Sequence, residues 1–330
     1  MPWAVTAFCG KLRKMPVSLR RRRVALDWSD DVAKVAANIR RRVLRFTLRN
    51  NGGYLSQACS SAEILATLYL RSMRLGPSTA PPDPPRFVGV PGSEATSCSG
   101  AGYNGASSPA RDRFAFSPVH YALVLYSTLI EVGRLTPAAL DEHFNVDGST
   151  VELIGAEHSP GHEVTAGSLG QALSQAAGIA LGRRLKGEPG RVFVFMSDGE
   201  FEEGQTWEAL AALVQHRIDN LAIVIDANGQ QCDGKLATVG HIEPLADRLG
   251  AFGANVHEVD GHSPRAIDRA LAGKKRGIPT IVIARTDPCH GLALLRARAP
   301  HLHYVRFTDG KERATFQQAL ARLDAASARG

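Results

Sequence analysis

The chain has 330 residues, 44% of them hydrophobic, with 39 Lys and Arg against 32 Asp and Glu for a formal net charge of +7. That is enough apolar material for a sizeable core, as one large α/β domain or two smaller ones, and no apolar run approaches the roughly 18 residues that a membrane span needs. Five cysteines, Cys9, Cys59, Cys98, Cys232 and Cys289, are scattered without a C-x-x-C pair, which argues against a zinc site or a disulfide framework and fits a reducing cytoplasm.

Much of the positive charge lies in Lys11, Arg13, Lys14 and Arg20 to Arg23, ahead of the first acidic residue, Asp27. Residues 1–30 read as a basic, solvated leader, with a nucleic-acid arm and a transit peptide as the competing readings. From Asp31 to Asn50, Val32, Val35, Ala36, Ile39, Val43 and Phe46 recur at helical spacing, and the enclosed Arg40 to Arg42 read as its wet face. Asn51-Gly-Gly-Tyr-Leu-Ser follows, then a helix-like stretch from Ser60 to Tyr69. Leu75 to Pro109 is rich in Pro, Gly, Ser and Ala without an apolar period, and reads as a flexible insertion within a domain of residues 31–330.

Order returns at Arg111-Asp-Arg-Phe-Ala-Phe-Ser-Pro-Val-His120, whereas Asp141 to Pro160 is irregular and holds His158, with His162 just beyond. Gly167 and Gly170 bracket a turn that feeds a helix from Ala172 to Leu185. Free N–H groups and the helix dipole favour an anion at such a point, although a plain helix cap is the other reading. The small residues Ala176, Ala177, Gly178 and Ala180 permit close helix packing there.

Residues 191–234 carry the strongest pattern. Val192 to Met196 is an apolar run of strand length that delivers Ser197-Asp198-Gly199-Glu200 to a turn before the helical Trp207 to His216. Leu221 to Ile225 is a second such run, ending in Asp226-Ala-Asn228-Gly-Gln230. Strand, helix and strand in this order predict a right-handed βαβ unit whose two strand tips share the sheet edge where α/β folds bind ligands, which brings Asp198 and Asn228 together. Either dipeptide alone reads as an ordinary turn. Together, an Asp oxygen, an Asn amide oxygen and a nearby backbone carbonyl make an all-oxygen set suited to Mg²⁺ when phosphate oxygens complete the octahedron, so a metal diphosphate is the implied ligand. Further on, Glu243 to Leu249 reads as a helix, Asn255 to His262 as a strand and turn, Ile267 to Leu271 as a helix and Thr280 to Arg285 as a buried strand. The predicted class is α/β, a doubly wound, mostly parallel sheet flanked by helices.

These motifs resemble the transketolase family of thiamine-diphosphate enzymes over about residues 32–323. The family's Gly-Asp-Gly…Asn motif appears as Ser197-Asp198-Gly199…Asn228, and its Thr-Gly-Ser-Leu-Gly-Gln as Ala166 to Gln171. By that resemblance Asp198, the Asn228 side chain and the Gln230 carbonyl would hold Mg²⁺, while His120, Gly167, Leu169 and Gly199 would contact thiamine diphosphate. Glu203 and Glu208 fall where the family carries carboxylates that link paired active sites, an exposed acidic helix start being the alternative. His158 is the candidate to contact substrate, His162 its rival, and His303 falls near a family His at the mouth of the site. His262 is assigned to structure. Tyr54 stands where the family has a His, and a phenol with pKa about 10 cannot reproduce imidazole proton chemistry near neutrality.

The resemblance implies an amino-terminal subunit of a split transketolase-like transferase that moves a ketol unit from a ketose to an aldose. It also implies a carboxyl-half partner that carries the pyrimidine-binding domain, in a heterotetramer. Acyl transfer or decarboxylation of a 2-oxo acid, and a non-catalytic scaffold, stay open beside it.

Overall fold

The computed structural model describes residues 27–87, 89, 99–153 and 155–328. The basic leader and the middle of the 75–109 insertion lie outside the described residues. Helices α1 (Trp28–Asn50), α2 (Leu55–Thr67), α3 (Ala122–Glu131), α4 (Ala138–Asp141) and α5 (Gln171–Leu185) surround strand β1 (Arg113–Phe116) and lead into β2 (Val192–Ser197). Then come α6 (Gly204–Gln215), β3 (Leu221–Ala227), a hairpin of β4 (Gln230–Gln231) and β5 (Gly234–Lys235), α7 (Leu236–Val239) and α8 (Leu245–Ala251). The chain finishes with β6 (Asn255–Asp260), α9 (Pro264–Ala272), β7 (Thr280–Arg285) and α10 (Gly310–Ser327).

Five strands form one parallel sheet in the order β1-β2-β3-β7-β6, as the α/β expectation required. Right-handed crossovers explain where the helices sit: successive strands from β1 to β3 step one way, the chain skips to the edge at β6, and α9 brings it back to insert β7. Reversing the direction of travel moves the crossover helix to the opposite face. Accordingly, Leu210 and Leu213 of α6 and Leu245 and Leu249 of α8 pack with Val192, Val194, Ile223 and Ile281, while Ile267 of α9 joins α1, α2 and α3 against Phe193, Phe195, Val224 and Val282. β2 and β3 are buried along their whole length, which is why they read as unbroken apolar runs rather than alternating ones.

One expectation is corrected here. Arg40 to Arg42 do not form a wet face: Arg40 is buried and pairs with Glu63 of α2, Arg42 pairs with Glu131 of α3, and Arg41 lies 3.7 Å from Asp324 of α10. Helix α1 packs against α2, α3 and α10 on different sides, so neighbouring arginines, about 100° apart around its axis, each meet a different carboxylate. The ends of the 75–109 segment are also tied down. The Arg134 guanidinium donates to the carbonyls of Gly76 and Tyr103, Thr79 N–H donates to Gly102, and Tyr103 and Asn104 are buried.

Candidate active site

All five parallel strands point their carboxyl ends to one edge, and the turns there build the site. Ser197 closes β2 in a capping box with Glu200, whose carboxylate also accepts from Gly170 N–H at 3.1 Å and from the Ser117 hydroxyl beyond β1. Glu200 thus fastens three separate chain segments. It also takes an N–H at the start of α5 that the sequence leaves free for an anion. Asp198 follows, only 3% exposed, with Oδ2 accepting from Gly229 N–H at 2.7 Å and Oδ1 from Gly199 N–H at 3.0 Å. The turns after β2 and β3 therefore meet, in agreement with the βαβ expectation. Asn228 accepts from Gln230 N–H at 2.8 Å through its amide oxygen.

Burial, and after it the neighbouring Asp226 carboxylate, push Asp198 up to about 8. Burial also raises Asp226. A buried carboxyl that keeps its proton only because a second carboxylate and low polarity oppose its charge is a place where a cation can replace that proton, and the buried Gln230 Oε1 lacks a hydrogen-bond partner in the same turn. At Gly199 an added Cβ would meet only Gln231 Cγ, at 3.8 Å, so the backbone is open to a close-approaching ligand. Gly167 has φ 140°, a conformation glycine alone adopts readily. Oxygen donors, a pair of buried carboxyls and bare backbone together fit a Mg²⁺ diphosphate.

Above these turns opens a cavity of 750 Å³. Ser197, Gly199, Gly167, Leu169, Glu203 and Gln230 line one side, and Tyr54, His120 and His303 the other. Sequence reading missed the β4–β5 hairpin, whose Gln231, Cys232 and Asp233 overhang the cavity. Asp233-Gly234 was the available signal, a dipeptide that favours tight hairpins. The His120 ring lies 4.9 Å from that of His303 and 5.6 Å from that of Tyr54. Burial, helped by His303, lowers His120 to about 3, so at neutral pH it is an uncharged hydrogen-bonding group. Burial also lowers His303 and raises Tyr54.

Three other histidines are placed differently from the site histidines. His158 is absent from the cavity wall; its Nε2 is 2.7 Å from Glu152 and its ring stacks on Phe87 at 4.3 Å. His162 is fully buried behind the wall beside Phe116, and burial lowers it to about 4. His262 is structural as expected. Asp287 N–H donates to its Nε2 at 2.8 Å, which leaves the ring proton on Nδ1 to reach Glu63 at 3.1 Å. Glu63, His262 and His290 converge, but that proton and the Arg40 guanidinium already occupy the carboxylate, so the trio is not a metal centre. Glu203 and Glu208 are exposed at the start of α6.

On this parallel α/β sheet the Asp-Gly and Asn-Gly turns meet beside the cavity that Gly167 and Gly199 help to line, while Asp198 and Asn228 themselves line a second cavity of 330 Å³ that shares Gln230 with it. Residues 103–297 match the family described as transketolase, thiamine diphosphate binding domain. A transketolase family protein of Sinorhizobium fredii is 34% identical over 275 residues, covering 82% of this chain and 88% of that one. An apulose-4-phosphate transketolase subunit of Actinobacillus succinogenes is 29% identical over 287 residues, covering 86% and 95%. The crystal structure of the Pichia stipitis transketolase complex with sedoheptulose-7-phosphate superposes with TM-score 0.65 at 21% identity, over 91% of this chain and 45% of that one. That likeness shows the fold, and this chain spans less than half the length of that transketolase. The chain belongs to the transketolase family, as an amino-terminal, diphosphate-binding transferase subunit.

Proposed function

We propose that the chain transfers a ketol unit from a ketose phosphate to an aldose, in the cytoplasm, as one half of a Mg²⁺- and thiamine-diphosphate-dependent transketolase. The supporting observation is the buried Asp198 carboxylate, which meets the Asn228 turn beside open backbone at Gly199. Asp198, the Asn228 amide oxygen and the Gln230 carbonyl would hold the cation, and Gly199, Gly167 and Leu169 would contact the cofactor. Thiamine diphosphate, when bound, supplies the electron sink for cleaving and forming the carbon–carbon bond. This chain's residues bind, orient and exchange protons. Neutral His120 positions a polar group by hydrogen bonding, and His303 is the imidazole placed to exchange a proton with a substrate oxygen.

The other half is a separate chain that carries the pyrimidine-binding domain, two copies of each forming a heterotetramer. Two features of the surface support a partner. Residues 171–182 of α5 turn Gln171, Ser174, Gln175 and Gly178 outward without a charged side chain, and Leu185 is 78% exposed, so the outer side of this helix is an uncharged surface open to a partner. The described cavity wall carries Glu202, Glu203 and Asp233 but no Lys or Arg, which leaves a substrate phosphate to be held by the partner. Glu203 and Glu208, exposed toward that side, contribute the link between paired sites. The test is to co-purify the two halves and assay ketose phosphates, unphosphorylated ketoses and 2-oxo acids with Mg²⁺ and thiamine diphosphate. Turnover of a ketose by this chain alone would overturn the split-enzyme reading, and exclusive turnover of 2-oxo acids would overturn ketol transfer.

A further inference from the structure

Beneath the Asp198–Asn228 pair lies Asp226, fully buried at the end of β3. Its Oδ2 accepts from Ser60 Oγ at 2.5 Å, from the Tyr121 hydroxyl at 2.9 Å and from Asn228 Nδ2 at 3.2 Å; its Oδ1 accepts from Thr286 Oγ1 at 2.5 Å. Those donors come from α2, the turn before α3, the β3 turn and the end of β7. All are neutral, so the carboxylate is not one half of an ion pair. A buried charge solvated only by neutral donors is costly, and a shape-matched neutral residue would hold the same four segments together more cheaply.

The charge has a distinct use at Asn228. An amide can present either its oxygen or its NH₂ to a given side, and only the oxygen ligates a cation. Here Nδ2 has acceptors on the interior side, Asp226 Oδ2 and the Tyr121 hydroxyl, the latter at 2.8 Å. Tyr121 can accept because its own proton goes to Asp226. Both hydrogens of Nδ2 are therefore drawn inward and Oδ1 is turned outward, where it accepts from Gln230 N–H. We propose that Asp226 is a positioning residue that sets the orientation of the Asn228 amide and so presents its oxygen to the cofactor's cation. This rests on the reading above that the cation is held by Asp198 and Asn228.

The experiment is calorimetric titration of the full-length chain, assembled with its partner subunit, with thiamine diphosphate at fixed excess Mg²⁺, with thermal unfolding as the check on folding. Asp226→Leu keeps about the same volume and removes the Oδ2 acceptor, so Asn228 Nδ2 loses an inward partner. Its Kd is expected to rise by about 10- to 100-fold, the usual effect of losing a group that orients a metal ligand. Asp226→Asn can keep an amide oxygen at the Oδ2 position, where three donors converge, and is expected to bind at least about tenfold more tightly than Asp226→Leu. Native affinity in Asp226→Leu, or an affinity in Asp226→Asn no better than in Asp226→Leu, overturns the proposal. Should Asp226→Leu not fold, Tyr121→Phe keeps the ring and deletes one inward acceptor; a severalfold rise in Kd is expected, and native affinity overturns the proposal. Wild-type protein that fails to bind Mg²⁺ and thiamine diphosphate would instead remove the functional reading itself.

Discussion

Replacing Asp198 by Asn tests the electrostatics of the site without reference to turnover. In the cation-free protein, burial and then Asp226 raise Asp198 to about 8, so the folded chain keeps this proton over a range in which an unfolded carboxyl, near 3.9, has released it. Folding is then coupled to proton uptake, and this group's contribution to stability falls as pH rises from about 4 to about 8 and levels off above. The slope approaches about 1.4 kcal/mol per pH unit, or on the order of 3 kcal/mol between pH 5 and pH 7. Asn carries no titrating proton, so urea unfolding of cation-free wild type and Asp198→Asn at pH 5, 6 and 7 should give a difference that grows in favour of the variant. Stabilities that stay parallel across this range would refute the reasoning. The same coupling acts on the cofactor: the cation needs the ionised carboxylate, so wild-type affinity for Mg²⁺ and thiamine diphosphate should climb by about tenfold per unit up to pH 8. Asp198→Asn should lose most of the binding at every pH.

Gly199→Val should fold, since Gln231 Cγ alone lies within 4 Å of the added Cβ, yet raise the Kd for thiamine diphosphate by about tenfold or more by filling the cradle; calorimetry with unchanged affinity would contradict this. Phe195→Ala removes a fully buried ring stacked on Phe116 at 5.4 Å and should cost about 3–5 kcal/mol in urea unfolding. His303→Ala should lower kcat/KM by about 10²-fold, the low end for loss of a proton-transfer group. His158→Ala, away from the cavity, should leave kcat/KM within about twofold; equal losses in the two variants would count against the cavity assignment.

Legibility in the sequence followed burial. β2, α6 and β3 could be read because a strand enclosed on both faces is an unbroken apolar run, and the polar tips that follow it stand out. β1 was hidden because Arg113–Phe116 is only four residues long and its apolar positions carry no run of their own. The all-apolar Ala122 to Leu125 similarly gives α3 no helical period, because that helix is buried on every side. Arg40 misleads for a deeper reason: its partner Glu63 is 23 positions away, and no local pattern distinguishes a solvated arginine from one that meets a carboxylate in the core. The site behaves likewise. Asp198 and Asn228 follow from local pattern plus crossover handedness, whereas choosing His303 over His158 depends on how a long irregular segment folds back.

The wall opposite the diphosphate turns shows what Tyr54 changes. Four rings meet there: Tyr54 packs at 5.0 Å from Tyr304, 5.4 Å from His303 and 5.6 Å from His120. Burial raises the Tyr54 phenol above its ordinary value, so it neither gains nor loses a proton during turnover at neutral pH and serves as a hydrogen-bonding wall. His120, held near 3, cannot act as an acid at the same pH. Burial lowers His303 too, but the hairpin's Asp233 opposes that effect, and the ring opens onto the cavity. In the proposed reaction, proton exchange on this wall is therefore assigned to His303. Its neighbour across the opening is a loop carboxylate, and movement of the β4–β5 hairpin would alter that imidazole's basicity along with access to the cavity.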